Sequence, residues 1–169
     1  PTQGNACTSS DSTGGELKTA GQTDGVSVSF EYTDSVVIVE SASIAFNISE
    51  ASFDTSSTSA GGSAVLTVID GDENTNSSLI DNFTVDVYSD TDNGGLTLTM
   101  NETDEDTGVF EATVFFTADG ATSGSSLRVS EGDTVTAEYT DKTLPEPYAD
   151  SDTLTVASTL TIGTAFPPL

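Results

Sequence analysis

The chain has no histidine and no tryptophan, and its only cationic side chains are Lys18, Arg128 and Lys142, against 28 acidic ones. Without histidine, Ser-His-Asp triads have no base and zinc sites of the usual kind lose a principal ligand. So few cations make no basic patch to neutralise phosphates, which argues against nucleic acid as a partner. The formal net charge of −25 is also repelled by an anionic membrane surface. No stretch approaches the roughly 18–20 apolar residues of a membrane helix, so no direct membrane insertion is expected. No signal peptide is visible; the expectation is that a leader has been removed or lies upstream. A single cysteine, Cys7, cannot form an internal disulfide. An odd cysteine in a secreted chain can pair with another chain, but the plainer reading is an unpaired thiol. Its neighbours Gln3 to Ala6 lack the apolar run of a lipoprotein signal.

Carboxylates are abundant, and a glycosidase needs two of them. That mechanism also needs one carboxyl with a raised pKa in a pocket, whereas the Asp and Glu residues here fall in polar turns or on wet strand faces. The expectation is therefore not an enzyme. So much negative charge opposes a compact state unless cations or salt screen it. That points to a saline exterior, to bound divalent cations, or to both.

What the sequence does contain is a repeat. Asp24-Gly25-Val26-Ser27-Val28-Ser29-Phe30-Glu31-Tyr32-Thr33-Asp34 is echoed by Gly132-Asp133-Thr134-Val135-Thr136-Ala137-Glu138-Tyr139-Thr140-Asp141, with Tyr32 and Tyr139 107 positions apart. Both copies alternate apolar and polar residues, the period of a half-buried strand. Ser43-Ile44-Ala45-Phe46 is likewise echoed by Thr161 to Phe166. A repeat of this length is one whole β-module. The chain thus reads as the tail of one module (1–41), a β-sandwich (42–141), and a C-terminal strand with an exit linker (142–169). Residues 1–23 read either as a linker or as a shortened Thr117–Glu131, in which Leu17 opens a strand that pairs with Val26–Tyr32. Two strands alone are marginal, so they must dock on the following module or be completed by another chain.

Between these copies, apolar alternation marks short strands at Val36–Val39, Ser43–Ile48, Ala64–Ile69, Phe83–Val87, Leu96–Met100 and Val109–Thr117. Leu127–Val129 and Thr134–Tyr139 read as a hairpin about Glu131-Gly132-Asp133, and Leu154–Val156 with Leu160–Ile162 resume a strand pattern. Asp54–Gly62 and Asp70–Asp81 read as loops. Seven or eight strands with regular turns and no helical period predict an all-β, antiparallel, immunoglobulin-like (Ig-like) β-sandwich. The tryptophan and disulfide of antibody domains are missing, so only the architecture is predicted.

Thr67-Val68-Ile69-Asp70-Gly71-Asp72-Glu73-Asn74, then Thr107-Gly108-Val109-Phe110, then Gly132 to Asp141 resemble the Ig-like repeats of large archaeal surface proteins, especially those of ammonia-oxidising archaea, S-layer types included. The resemblance covers roughly residues 42–166. It implies a secreted, glycosylated, cation-dependent structural protein at the cell surface, whose partners are copies of itself or neighbouring Ig-like modules. S-layer is the leading expectation. A filament, pilus or adhesin subunit assembled by strand donation is the alternative, and a carbohydrate-binding module is weakened by the missing tryptophan platform.

Two sets of side chains are candidate sites. Asp70, Asp72, Asn74 and Asn76 place oxygens at alternate positions, which suits calcium, a cation that takes six to eight hard oxygen ligands. The loop is not an EF-hand, since Gly71 falls at its second position and Asp81 replaces the final Glu. Asp104 and Asp106 form a second acidic turn, expected at the same end of the sandwich, and Asp34 and Asp141 sit where modules meet. Asp and Asn also favour such turns through local hydrogen bonds alone. Asn47, Asn76, Asn82 and Asn101 each open an Asn-x-Ser/Thr sequon, expected on loops or outward strand positions where a glycan fits.

Overall fold

The computed structural model describes residues 26–32, 36–42, 46–145, 147–149 and 151–164, and for 26–42 the backbone alone. Cys7, Leu17, Asp34, Ile44 and Phe166 lie outside the described residues. The protein is all-β, with no α-helix among those residues. Its strands are β1 (Val26–Tyr32), β2 (Val36–Ala42), β3 (Glu50–Phe53), β4 (Ser57–Ser59), β5 (Ser63–Ile69), β6 (Asn82–Ser89), β7 (Leu96–Glu102), β8 (Val109–Thr117), β9 (Ser126–Arg128), β10 (Thr134–Asp141) and β11 (Leu154–Gly163).

β1 and β2 form a two-stranded antiparallel sheet of their own, with Tyr32 opposite Val36 and Val26 opposite Ala42. Among the described residues β1 pairs with β2, and the strand expected to open at Leu17 lies outside them. The other nine strands curl into one sheet in the order β3-β5-β8-β7-β6-β10-β11-β4, with β9 on the flank of β8. The alternation read in the sequence is the reason they fold inward. Leu66 and Val68 of β5, Val85 and Val87 of β6, Met100 of β7, Phe110 and Val114 of β8 and Val135 of β10 are almost fully buried, while their chain neighbours are half-buried or exposed. Leu160 and Ile162 of β11 join the same core, so the C-terminal strand packs as part of this sheet. Phe83 stacks between Phe110 and Tyr139, with ring centroids 4.5 Å and 4.8 Å away. Aromatic pairs at this spacing add about 0.5–1.5 kcal/mol each beyond the area they bury.

The sheet is mixed, not antiparallel throughout. β4 runs parallel to β11, with Ser57 opposite Thr161, and β9 runs parallel to β8, with Phe115 opposite Ser126. β4 lies inside the expected loop 54–62. β9 was expected to form a hairpin with β10, but β10 has β6 on one side and β11 on the other, which leaves β9 only the flank of β8. A parallel return usually needs a dozen residues or more. Here the turn is tighter because Ser123 and Ser126 exchange both backbone bonds at 2.9 Å around Gly124, whose φ of +59° suits glycine.

The expected strand 43–48 also shifts. Residues 46–49 are not strand, Ile48 is exposed, Ser49 is buried, and pairing starts at Glu50 opposite Ile69. Side-chain carboxylates have taken the backbone donors that a ladder would use: Asn47 N–H donates to Asp72 Oδ2 at 2.8 Å and Ser49 N–H to Asp141 Oδ2 at 2.9 Å.

Candidate functional site

One pole of the sheet collects the acidic loops. β5 ends at Ile69, and a short 3-10 turn, Gly71–Glu73, follows. Asp70 caps it, its Oδ1 accepting from Asp72 N–H at 3.0 Å. The turn 103–108 between β7 and β8 closes on the same pole. Asp70 N–H donates to the Gly108 carbonyl at 2.9 Å. Gly108 has φ +61°, and a Cβ there would stand 2.7 Å from the Gly71 Cα. Only glycine allows the two loops this close.

Tyr139 of β10 rises into this pole from the core. Its hydroxyl donates to Asp70 Oδ2 at 2.7 Å and lies 3.3 Å from Glu73 Oε1. Burial, then the Asp70 carboxylate, push the phenol far above its ordinary pKa, so it remains a donor. Asp141, two residues further along β10, is fully buried. Its Oδ2 accepts from Ser49 N–H and its Oδ1 from Thr143 N–H, both at 2.9 Å.

Four carboxylates thus share one pole. Burial raises the pKa of Asp70, Tyr139 and the Asp72 amide lower it, and the negative charge of Asp141 raises it again. Asp72 is raised by burial against the Asn47 amide, and further by Asp70 and Asp141. Glu73 is raised by burial and by Asp70, with Tyr139 and Lys142 pulling the other way. Two buried oxygens in this neighbourhood have no hydrogen-bond partner, Ser49 Oγ and Asn74 Oδ1.

The other acidic groups of the loops behave differently. Glu102, at the end of β7, is buried, but its Oε1 accepts from the Thr107 and Gly108 amides, each at 2.8 Å, and its Oε2 from Asp81 N–H at 3.3 Å. Burial works against ionisation there, yet the Gly108, Thr107 and Asp81 amides hold the carboxyl below its usual pKa. Burial works against ionisation of Asp81 too, but Asn76 N–H, Thr75 Oγ1 and Thr75 N–H donate to it and together hold its pKa low.

The sequence candidates therefore divide. Asp70 and Asp72 stand together, joined by Glu73 and Asp141. Asn74 Nδ2 donates to Asp106 Oδ1 at 2.8 Å, so the two acidic turns do meet at one end. Asn76 belongs to the separate loop 75–81, its Oδ1 accepting from Ser78 N–H. Asp104 is exposed, and its carboxylate accepts from Glu105 N–H. Among the described residues, no three Asp, Glu, Cys or His side chains converge as metal ligands. Glu73, Ser49, Glu102 and Tyr139 were not singled out as site residues from the sequence. The repeated Tyr-Thr-Asp ending is the signal that points to Tyr139 and Asp141 together.

Of the sequon asparagines, Asn47, Asn82 and Asn101 are exposed and Asn76 is half-buried. Asn82 and Asn101 stand directly opposite one another on β6 and β7.

A cleft of about 420 Å³ opens elsewhere, between β7 and β8. Their ladder holds only at Asn101–Glu111 and Glu102–Phe110, after which the strands part. The cleft is walled by Thr97, Thr99 and Asn101 on one side and by Ala112, Thr113 and the Gly124-Ser125 turn on the other. Compared with known protein families and with curated proteins, the chain matches none.

Proposed function

We propose that the chain is a structural building block of an extracellular assembly such as an S-layer, built from Ig-like β-sandwich modules in tandem. One observation carries this reading: the sequence repeat is also a repeat of structure. In each copy the Glu-Tyr-Thr-Asp strand forms an antiparallel pair with the strand that follows it, β1 with β2 and β10 with β11. A chain that ends one such unit and builds another is organised as an array. For the module itself, the short β7–β8 ladder supports the Ig-like reading, because it lets the curled sheet divide into β3, β5 and β8 on one side and β7, β6, β10, β11 and β4 on the other. The resemblance to archaeal surface repeats, the net charge of −25 and the sequons support an extracellular, cell-surface setting.

Calcium belongs to the proposal, at the pole of Asp70, Asp72, Glu73 and Asp141. Buried carboxylates crowded against each other need either protons or a cation. The side chains as placed do not converge, so the ion would have to turn Asp72 and Glu73, the less buried pair, toward Asp70. Glycans are proposed at Asn47 and at one of Asn82 and Asn101. Directly opposed Cβ atoms lie about 5 Å apart, which leaves room for one glycan and not two.

A subunit of a filament, pilus or adhesin is the second reading. The observation favouring it is the β1–β2 pair, which among the described residues is a sheet of two strands, too small to be stable alone. Electron microscopy of the purified protein at high salt with calcium tests both. Sheets or filaments of regular repeat are expected, a two-dimensional lattice supporting the first reading and a fibre the second. Particles that stay monomeric at every concentration, salt and calcium level would overturn both.

A further inference from the structure

We propose that the free edge of β7 is the acceptor for a β-strand of a second copy, and that the occupant is β1. This rests on the assembly reading above and names where the copies join. β7 is paired along its length with β6, from Asn82–Asn101 to Val87–Leu96. In a strand, alternate backbone groups point to opposite sides. Those of Leu96–Met100 that point away from β6 have no ladder partner, because the bonds to β8 stop at Asn101. Across the cleft, β8 is paired with β5 on one side, and on the other β9 meets it only at Phe115–Thr117. An added strand therefore enters a slot with backbone groups waiting on it.

Exposed edges are normally blunted by lysine, proline, a bulge or inward charge. Leu96-Thr97-Leu98-Thr99-Met100-Asn101 contains none of those residues, and Ala112–Thr117 opposite it is uncharged as well. In a chain with 28 acidic residues, this is a neutral site on an acidic molecule. Charge narrows the choice of occupant, and the lack of a second described neighbour favours β1 over β11, which lies between β10 and β4. A strand carrying carboxylates would meet the like charge of the acceptor copy. β1 is uncharged from Val26 to Phe30, is seven residues long like β7, and among the described residues has β2 on one side and no strand on the other. β2 carries Glu40 near its middle, β3 begins with Glu50, and β4 has only three residues. β1 gains a strand beside the one described partner it has, and β7 loses its open edge.

The test uses the full 169-residue chain in a Cys7→Ser background at high salt. One batch carries Thr99→Cys and a differently tagged batch carries Ser29→Cys. Oxidation of the mixture is expected to give disulfide-linked pairs of unlike batches, at least tenfold over like pairs and over a control pairing Ser29→Cys with Thr67→Cys. Separately, Thr99→Glu and Ser29→Pro are each expected to weaken self-association at least tenfold in sedimentation, with the thermal unfolding of the nine-stranded sheet unchanged. Regular assembly that proceeds normally in both variants would overturn this edge and leave the assembly reading standing. A chain bearing both cysteines that closes on itself, independently of concentration, would overturn the second-copy occupant. Absence of any association would overturn this proposal and the assembly reading together.

Discussion

Asp70 and Glu102 are both buried carboxylates, 1% and 4% exposed, and they share Gly108, whose carbonyl accepts from the Asp70 amide and whose amide donates to Glu102. Their acidities nevertheless move in opposite directions. Three backbone amides hold Glu102 below the ordinary range in spite of its burial. Asp70 is buried against the Tyr139 phenol and the amides of Asp72 and Glu73, and its negative neighbours include Asp141, so burial wins and its pKa rises. Burial sets the stakes for a carboxylate, while the balance of N–H donors against neighbouring charges sets the sign. The first arrangement fixes a turn without help. The second leaves charge to be met by something outside the chain.

The largest effect expected comes from exchanging the two groups for their amides. Glu102→Gln keeps one acceptor oxygen where three backbone amides now donate. A buried amide left without a partner costs about 1–3 kcal/mol. Asp70→Asn keeps an acceptor for the Asp72 amide and turns its NH2 toward the Tyr139 oxygen, while removing a charge from a crowded pole. In calcium-free buffer at neutral pH, Glu102→Gln should lower the denaturation midpoint clearly, and Asp70→Asn should leave it unchanged or raise it. Equal losses in the two variants would break the comparison.

Titration should show a smaller effect of the same kind. Asp70, Asp72 and Glu73 have folded pKa values above their ordinary 3.8, 3.8 and 4.5. The folded state then binds more protons than the unfolded one, so their contribution is present at acid pH and is lost as pH rises through the raised values. Glu102 and Asp81 are lowered, so theirs is present above the ordinary range and is lost as pH falls. With chelator at constant ionic strength, the melting temperature is expected to fall by a few degrees as the pH rises above the ordinary carboxylate range, since one kcal/mol moves it by roughly 2–4 °C in a domain of this size. Calcium should flatten that slope by replacing protons at the pole. Superimposable melting curves with calcium and with chelator at every pH would remove the cation from the pole.

How much of this the sequence shows depends on whether a feature is local. β5, β6, β7 and β8 are visible because each alternates over its own length, and Asp70 with Asp72 because a strand runs into an acidic turn. β4, Ser-Thr-Ser, has no apolar pattern and exists because β11 offers it an edge. The start of β3 is displaced to Glu50 by carboxylates 25 and 92 residues away from the amides they take. Glu102 collects donors from Thr107, Gly108 and Asp81, a set with no spacing rule behind it. Whether an acidic residue is caged or crowded is a tertiary fact, and composition alone treats all 28 alike.

The smallest effect sharpens the comparison by placing the cation. Asn74 Oδ1 is buried without a partner, while Asn74 Nδ2 donates to the exposed Asp106. Asp106→Asn replaces one exposed side-chain hydrogen bond with a neutral one, for about 0.5 kcal/mol or less. If the ion sits at the crowded pole, this variant keeps the full calcium-dependent rise in melting temperature, and Asp72→Asn loses most of it. The reverse result would put the ion between the two turns, at Asn74 Oδ1 and Asp106. Asp70, Asp72 and Glu73 would then be relieved by protons alone, and the slope with pH would survive saturating calcium.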